Sequence, residues 1–137
     1  MLREKSVQKA QVCKFPGKKV LIVEDKKINR EIVKNILQEA DVTVLEAENG
    51  EEAVEMIQKQ EDIDLIFMDI RMPVMAGDEA TDIIRRMNRE DCKEMPIVAM
   101  TATASEEEVL CAGINDWMAK PVEPGKVYDC LKKFFEE

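Results

Sequence analysis

Five short apolar runs, each followed by a stretch of helical periodicity, constrain this 137-residue chain more than any other feature of it. The runs are Lys19-Val20-Leu21-Ile22-Val23, Val42 to Ala47, Leu65 to Met68, Pro96 to Met100 and Ile114 to Ala119. Runs of this length that are apolar without alternation read as strands buried on both faces. After the first, Ile28, Ile32, Val33, Ile36, Leu37 and Ala40 recur at helical spacing, which predicts a helix to about Glu39. Asn49 then caps a helix with Glu51 and Glu52 in its first turn and Ala53, Val54 and Ile57 on its apolar face. A third helix is expected from about Asp78 to Glu90, facing inward with Ala80, Ile83, Ile84 and Met87. A short fourth holds Glu106-Glu107-Glu108 ahead of Val109-Leu110 and stops at Gly113. A last helix from about Glu123 packs Val127, Cys130, Leu131, Phe134 and Phe135. Regular alternation of this kind is the mark of an α/β fold, a parallel sheet with helices on both faces.

The length suits one domain with a substantial core. Residues 1–17 are basic, lack periodicity and end in Phe15-Pro16-Gly17, so they read as a linker or disordered arm, with the domain at 18–137. Residues 1–19 carry a net +5 within a chain of net −9, which leaves −14 on the rest. An acidic body argues against nucleic acid as a direct partner and suits a divalent cation or a basic docking surface. Cys13, Cys92, Cys111 and Cys130 form no C-x-x-C pair, and there is no histidine to complete a zinc site or to serve as a general base. The last three cysteines read as small buried hydrophobes. Without a signal peptide or a long apolar segment, the expected setting is a reducing cytoplasm, with no membrane contact by this domain.

The polar residues at the ends of the apolar runs carry the functional signal. The first run ends in Glu24-Asp25, the third in Asp69, the fourth in Thr101 and the fifth in Lys120-Pro121. In an open parallel sheet, ligands bind just beyond the carboxyl ends of the strands. Each residue alone has a structural counterpart: Glu24-Asp25 as a helix cap, Asp69 as a turn residue, Thr101 and Lys120 as loop edges. All four arriving in order at strand ends is a different matter.

That set resembles the receiver domain of two-component response regulators over about residues 18–135. The acid pair follows strand one, Asp-x-x-x-Pro-x-x-x-Gly (Asp69, Pro73, Gly77) follows strand three, Thr101-Ala102 strand four and Lys120-Pro121 strand five. The wording Glu24-Asp25-x-x-x-Asn29-Arg30 is closest to receivers of hybrid sensor histidine kinases. The resemblance implies a doubly wound, flavodoxin-like five-stranded sheet in the order 2-1-3-4-5. It implies Asp69 as phosphoacceptor for a phosphoryl group from a histidine kinase or histidine phosphotransfer protein. Mg²⁺ would be bound by Asp25 and Asp69, by Glu24 through water and by the backbone carbonyl of Arg71. Lys120 would neutralise a phosphoryl oxygen and Thr101 hydrogen-bond another. Thr101 and Trp117 stand at the switch positions, and Arg71 and Thr103 flank the path of a water that removes the phosphoryl group. The Lys120-Pro121 bond is expected cis. Output would pass through the face formed by the fourth helix, the fifth strand and the last helix.

Some features depart from the family pattern. The stretch from Thr101 to Gly113 is about three residues short, nearly one helical turn, so the fourth helix is expected shortened. Ala76 replaces a frequent aspartate, and Lys26 a frequent asparagine. Two rivals remain at this point. A phosphatase of the haloacid dehalogenase type needs an acid two residues after its nucleophile, where this chain has Arg71. A pseudo-receiver would act by binding alone. The expected role is thus a phosphoacceptor signalling domain rather than an enzyme on a separate substrate, read as part of a larger hybrid kinase, with its output partner unidentified.

Overall fold

The computed structural model describes residues 14–71, 75–102 and 113–136. Five parallel strands make one sheet: β1 (Lys19–Val23), β2 (Thr43–Ala47), β3 (Leu65–Asp69), β4 (Ile97–Thr101) and β5 (Asp116–Ala119), in the order β2-β1-β3-β4-β5. The helices are α1 (Lys27–Glu39), α2 (Gly50–Lys59), α3 (Gly77–Arg85), the one-turn α4 (Glu90–Glu94) and α5 (Pro124–Phe135). The fold class and strand order are those the resemblance implied.

Strand pleating divides the core into two layers, because successive side chains point to opposite faces. Leu21, Val23, Ile66, Met68, Ile97 and Ala99 face α2, α3 and α4, meeting Ala53, Ile57, Ala80, Ile84 and Cys92. Val20, Ile22, Leu65, Phe67, Val98 and Met100 face α1 and α5, meeting Val33, Leu37, Val127 and Leu131. β1, β3 and β4 are central, which explains why their sequences are nearly continuous in apolar residues. Cys92 and Cys130 are buried free thiols. Phe15, inside the stretch expected as an arm, hydrogen-bonds the Ala40 carbonyl at 2.8 Å and packs edge-on against Phe135.

Two expectations from periodicity are corrected. The third helix does not run from Asp78 to Glu90 but ends at Arg85, and a separate turn, α4, follows. Arg89 causes the break. Its backbone is extended, and its guanidinium donates to the carbonyls of Ile57 and Gln60 at the end of α2 while pairing with Asp91. A tertiary contact here overrides a continuous helical pattern. On α1, Ile28 and Ile32 do not join the buried face: they are 76% and 47% exposed. The expected fourth helix and its shortening fall on 103–112, outside the described residues, as do Cys13, Pro73 and Cys111.

Candidate functional site at the carboxyl ends of the strands

Strand order explains why distant residues meet. β1 and β4 flank β3, and β5 pairs with β4, so the carboxyl ends of four adjacent strands bring Glu24, Asp69, Thr101 and Lys120 into one row. Glu24 and Asp69 are 1% and 3% exposed, which is exceptional for carboxylates, and Thr101 is buried beside them. Carboxylate oxygens of Glu24, Asp25 and Asp69 all lie within 4.8 Å of one another.

Buried anions need compensation. Lys120 supplies it: its Nζ lies 2.9 Å from Glu24 Oε1 and 3.2 Å from Asp69 Oδ2. Its own amide donates to the Thr101 carbonyl at 2.9 Å. The Lys120–Pro121 bond is cis, as expected. The remaining carboxylate oxygens accept backbone N–H groups, Glu24 Oε2 from Lys26 at 3.2 Å and Asp69 Oδ1 from Arg71 at 3.2 Å. The turn role that Asp69 suggests singly is therefore real and coexists with the cluster, whereas Glu24 and Asp25 do not cap α1: its N-cap is Lys26, with no side-chain cap hydrogen bond.

One lysine does not balance three carboxylates. Burial, then the Glu24 charge, push the Asp69 carboxyl up to about 6, with Lys120 pulling the other way. For Lys120, burial disfavours the ammonium, but its hydrogen bond to Glu24 and the charges of Asp69 and Glu24 outweigh that and raise it above the ordinary lysine range. The surplus of hard anionic oxygen in a small, half-enclosed space fits a divalent cation of the magnesium kind.

Gly77 closes the loop after β3. Its N–H donates to the Ile70 carbonyl at 2.9 Å, and a Cβ there would collide with the Asp69 carbonyl and come 2.9 Å from Met68 Cγ. The glycine is required by close approach to the very residue at the centre of the site. Trp117 stands on β5 opposite Ala99, 37% exposed. Thr103 lies outside the described residues.

The sequence reading missed two parts of this region. A cavity of about 320 Å³ opens beside the cluster, lined by Glu24, Asn29, Ile32, Val33, Lys120, Pro121 and Val122. Ile32 was its sequence trace, at one edge of an apolar stripe too wide for a single helix face. The other part is a bond from Arg30 to the Glu24 carbonyl, for which sequence offered no signal beyond the residue itself.

Residues 20–132 match the response regulator receiver domain family. The chain belongs to that family. The hybrid signal transduction histidine kinase A of Dictyostelium discoideum is 39% identical over 121 residues, 85% of this chain and 6% of that protein. Across eight related histidine kinases the chain spans 5% to 17% of the relative's length. The receiver domain of the Pseudomonas aeruginosa sensor histidine kinase PA1611, solved with magnesium coordinated in its active-site cleft, is 32% identical with a TM-score of 0.79, covering 88% of this chain and 99% of that one. The Saccharomyces cerevisiae co-crystal of the phosphotransfer protein Ypd1 and the receiver domain of Ssk1 matches at 33% identity and a TM-score of 0.77, covering 88% of this chain and 90% of that one. Receivers of this family are signalling domains of two-component and phosphorelay systems, and the haloacid dehalogenase reading is set aside. Among the described residues, no helix is long and apolar enough to cross a membrane.

Proposed function

We propose that this receiver accepts a phosphoryl group on Asp69 from a phosphohistidine of a histidine kinase or phosphotransfer protein. The observation that carries the reading is Lys120 Nζ bridging the buried Glu24 and Asp69 at 2.9 and 3.2 Å, within a cluster completed by the partly buried Asp25. In the transfer, an Asp69 carboxylate oxygen attacks phosphorus, an O–P bond forms, the N–P bond breaks, and the donor imidazole leaves with the electron pair. Lys120 would neutralise charge on a phosphoryl oxygen, and the Thr101 hydroxyl would hydrogen-bond another. Arg71 and Thr103 would flank the path of the hydrolytic water.

Glu24, Asp25, Asp69 and the Arg71 carbonyl would hold Mg²⁺, which when bound supplies the positive charge that lets an anionic carboxylate meet an anionic phosphoryl group. A relative solved with magnesium in the corresponding cleft supports that assignment. The donor has to reach Lys120, and the cavity beside that lysine carries the exposed Ile32 in its lining, with Ile28 exposed one turn earlier on α1. An apolar rim at a charged mouth suits a partner helix rather than a small metabolite. A relative solved together with a histidine phosphotransfer protein supports a donor of that class.

Phosphorylation would then shift an equilibrium between two arrangements of Thr101, Trp117 and the neighbouring face. The test is intact-protein mass measurement after incubation with acetyl phosphate and Mg²⁺. A gain of one phosphoryl group that is abolished by EDTA and by Asp69→Asn is expected. No gain in the wild type would instead favour a receiver that works by binding alone.

A further inference from the structure

Glu46 is an acid in a place meant for an apolar side chain. It lies on β2 in register with Ile22 of β1, two residues beyond Val44, which packs in the layer under α1. The side chain is only 29% exposed. Two cations of α1, one turn apart, converge on it: Arg30 Nε at 3.0 Å from Oε1 and Lys34 Nζ at 3.1 Å from Oε2. Such networks bring little net stability, because taking the charges from water offsets most of their attraction. Their usual effect is to fix geometry.

What this network fixes is visible at the other arm of Arg30. A terminal nitrogen of its guanidinium donates to the Glu24 carbonyl at 2.9 Å, while the Glu24 N–H donates to the Ala47 carbonyl at 3.1 Å. The Glu24 carbonyl belongs to the peptide that leads into Asp25, so holding it sets the direction in which Asp25 leaves the strand. Asp25 itself is only partly buried, with its carboxylate oxygen in the cluster. From this geometry we infer that Arg30, oriented by Glu46, is a positioning residue that presets the Glu24–Asp25 acid pair for a divalent cation. The inference rests on the metal site proposed above and adds residues outside it. Groups that orient metal ligands are typically worth 10- to 100-fold in metal affinity.

Calorimetric titration of the full chain with Mg²⁺ tests it, alongside thermal unfolding in EDTA. The variants are Arg30→Met, Arg30→Lys, Glu46→Gln and, as a control for destabilisation far from the site, Arg89→Met. Expected are an affinity about 10-fold weaker in Arg30→Met, intermediate losses in Arg30→Lys and Glu46→Gln, and wild-type affinity in Arg89→Met despite a lowered melting temperature. Folded Arg30→Met binding within twofold of wild type would overturn the inference, as would an equal loss in Arg89→Met. Should Arg30→Met not fold, unchanged affinity in Glu46→Gln overturns it alone. A wild-type chain that takes up no Mg²⁺ would remove the metal site itself and this inference with it, an outcome distinct from wild-type binding that the variants share.

Discussion

Lys120 Nζ sits nearer to Glu24, at 2.9 Å, than to Asp69, at 3.2 Å. The ammonium is shared, and its first partner is the carboxylate that would not carry the phosphoryl group. Asp69 is held more loosely, its Oδ2 by the longer contact to Lys120 and its Oδ1 by the Arg71 N–H at 3.2 Å, while the cluster stays compensated. It also makes Lys120 structural as well as chemical.

Lys120→Met is therefore expected to lower stability near neutral pH by about 3 kcal/mol, the lower end for a broken buried pair because the lysine is 21% exposed. Urea unfolding at pH 7 and pH 5 measures it. The loss should shrink at pH 5, where protonation of the Asp69 carboxyl relieves its repulsion with Glu24, and saturating Mg²⁺ should restore part of it by binding the folded state.

Asp69→Asn should raise the melting temperature of the metal-free protein at pH 7. The folded-state carboxyl titrates at about 6, against roughly 3.9 for an unfolded aspartate. The folded protein thus binds the extra proton between those values. Stability from this group is fully present below about pH 4, falls as pH rises through about 6, and is constant above. The asparagine variant lacks that fall, so the two melting curves should converge near pH 4 and separate toward pH 7. By the same titration, wild-type Mg²⁺ affinity should weaken as pH drops below about 6.

Gly77→Ala places a methyl group against the Asp69 carbonyl and Met68 Cγ. Overpacking of this kind costs about 1–3 kcal/mol. Because the displaced backbone belongs to Asp69, the rate of labelling by acetyl phosphate should fall together with the urea midpoint. Labelling at the wild-type rate in a destabilised variant would show that the loop can yield without moving the acceptor.

Trp117, the only tryptophan, reports on β5. Mg²⁺ followed by beryllium fluoride should change its fluorescence saturably in the wild type and leave it unchanged in Asp69→Ala. The same response in Thr101→Ala as in the wild type would separate Trp117 from the proposed switch.

Much of this was legible along the chain because local physics carried it. Continuous apolar runs marked β1, β3 and β4, since strands covered on both faces have no solvent side to alternate toward. Asn49 was readable as a cap, and its Oδ1 accepts the Glu52 N–H at 2.9 Å. The acids, Thr101 and Lys120 stood out as polar residues ending apolar runs. The split between α3 and α4 was not legible, because Arg89 reaches carbonyls on another helix, and helical periodicity carries no trace of that partner.

The alternation of strands and helices, the burial of the three central strands and the residue types gathered at the strand ends all follow from the order of residues along the chain. Each depends on contacts within a few residues, or on the period of the chain. Only the packed sheet makes Lys120 bridge two particular carboxylates, sets Gly77 against the Asp69 carbonyl, leaves Ile32 bordering an open cavity, and joins Glu46 and Arg30 to the peptide before Asp25. Those relationships depend on which strands become neighbours, and a sheet pairs residues far apart in the chain that no local pattern connects.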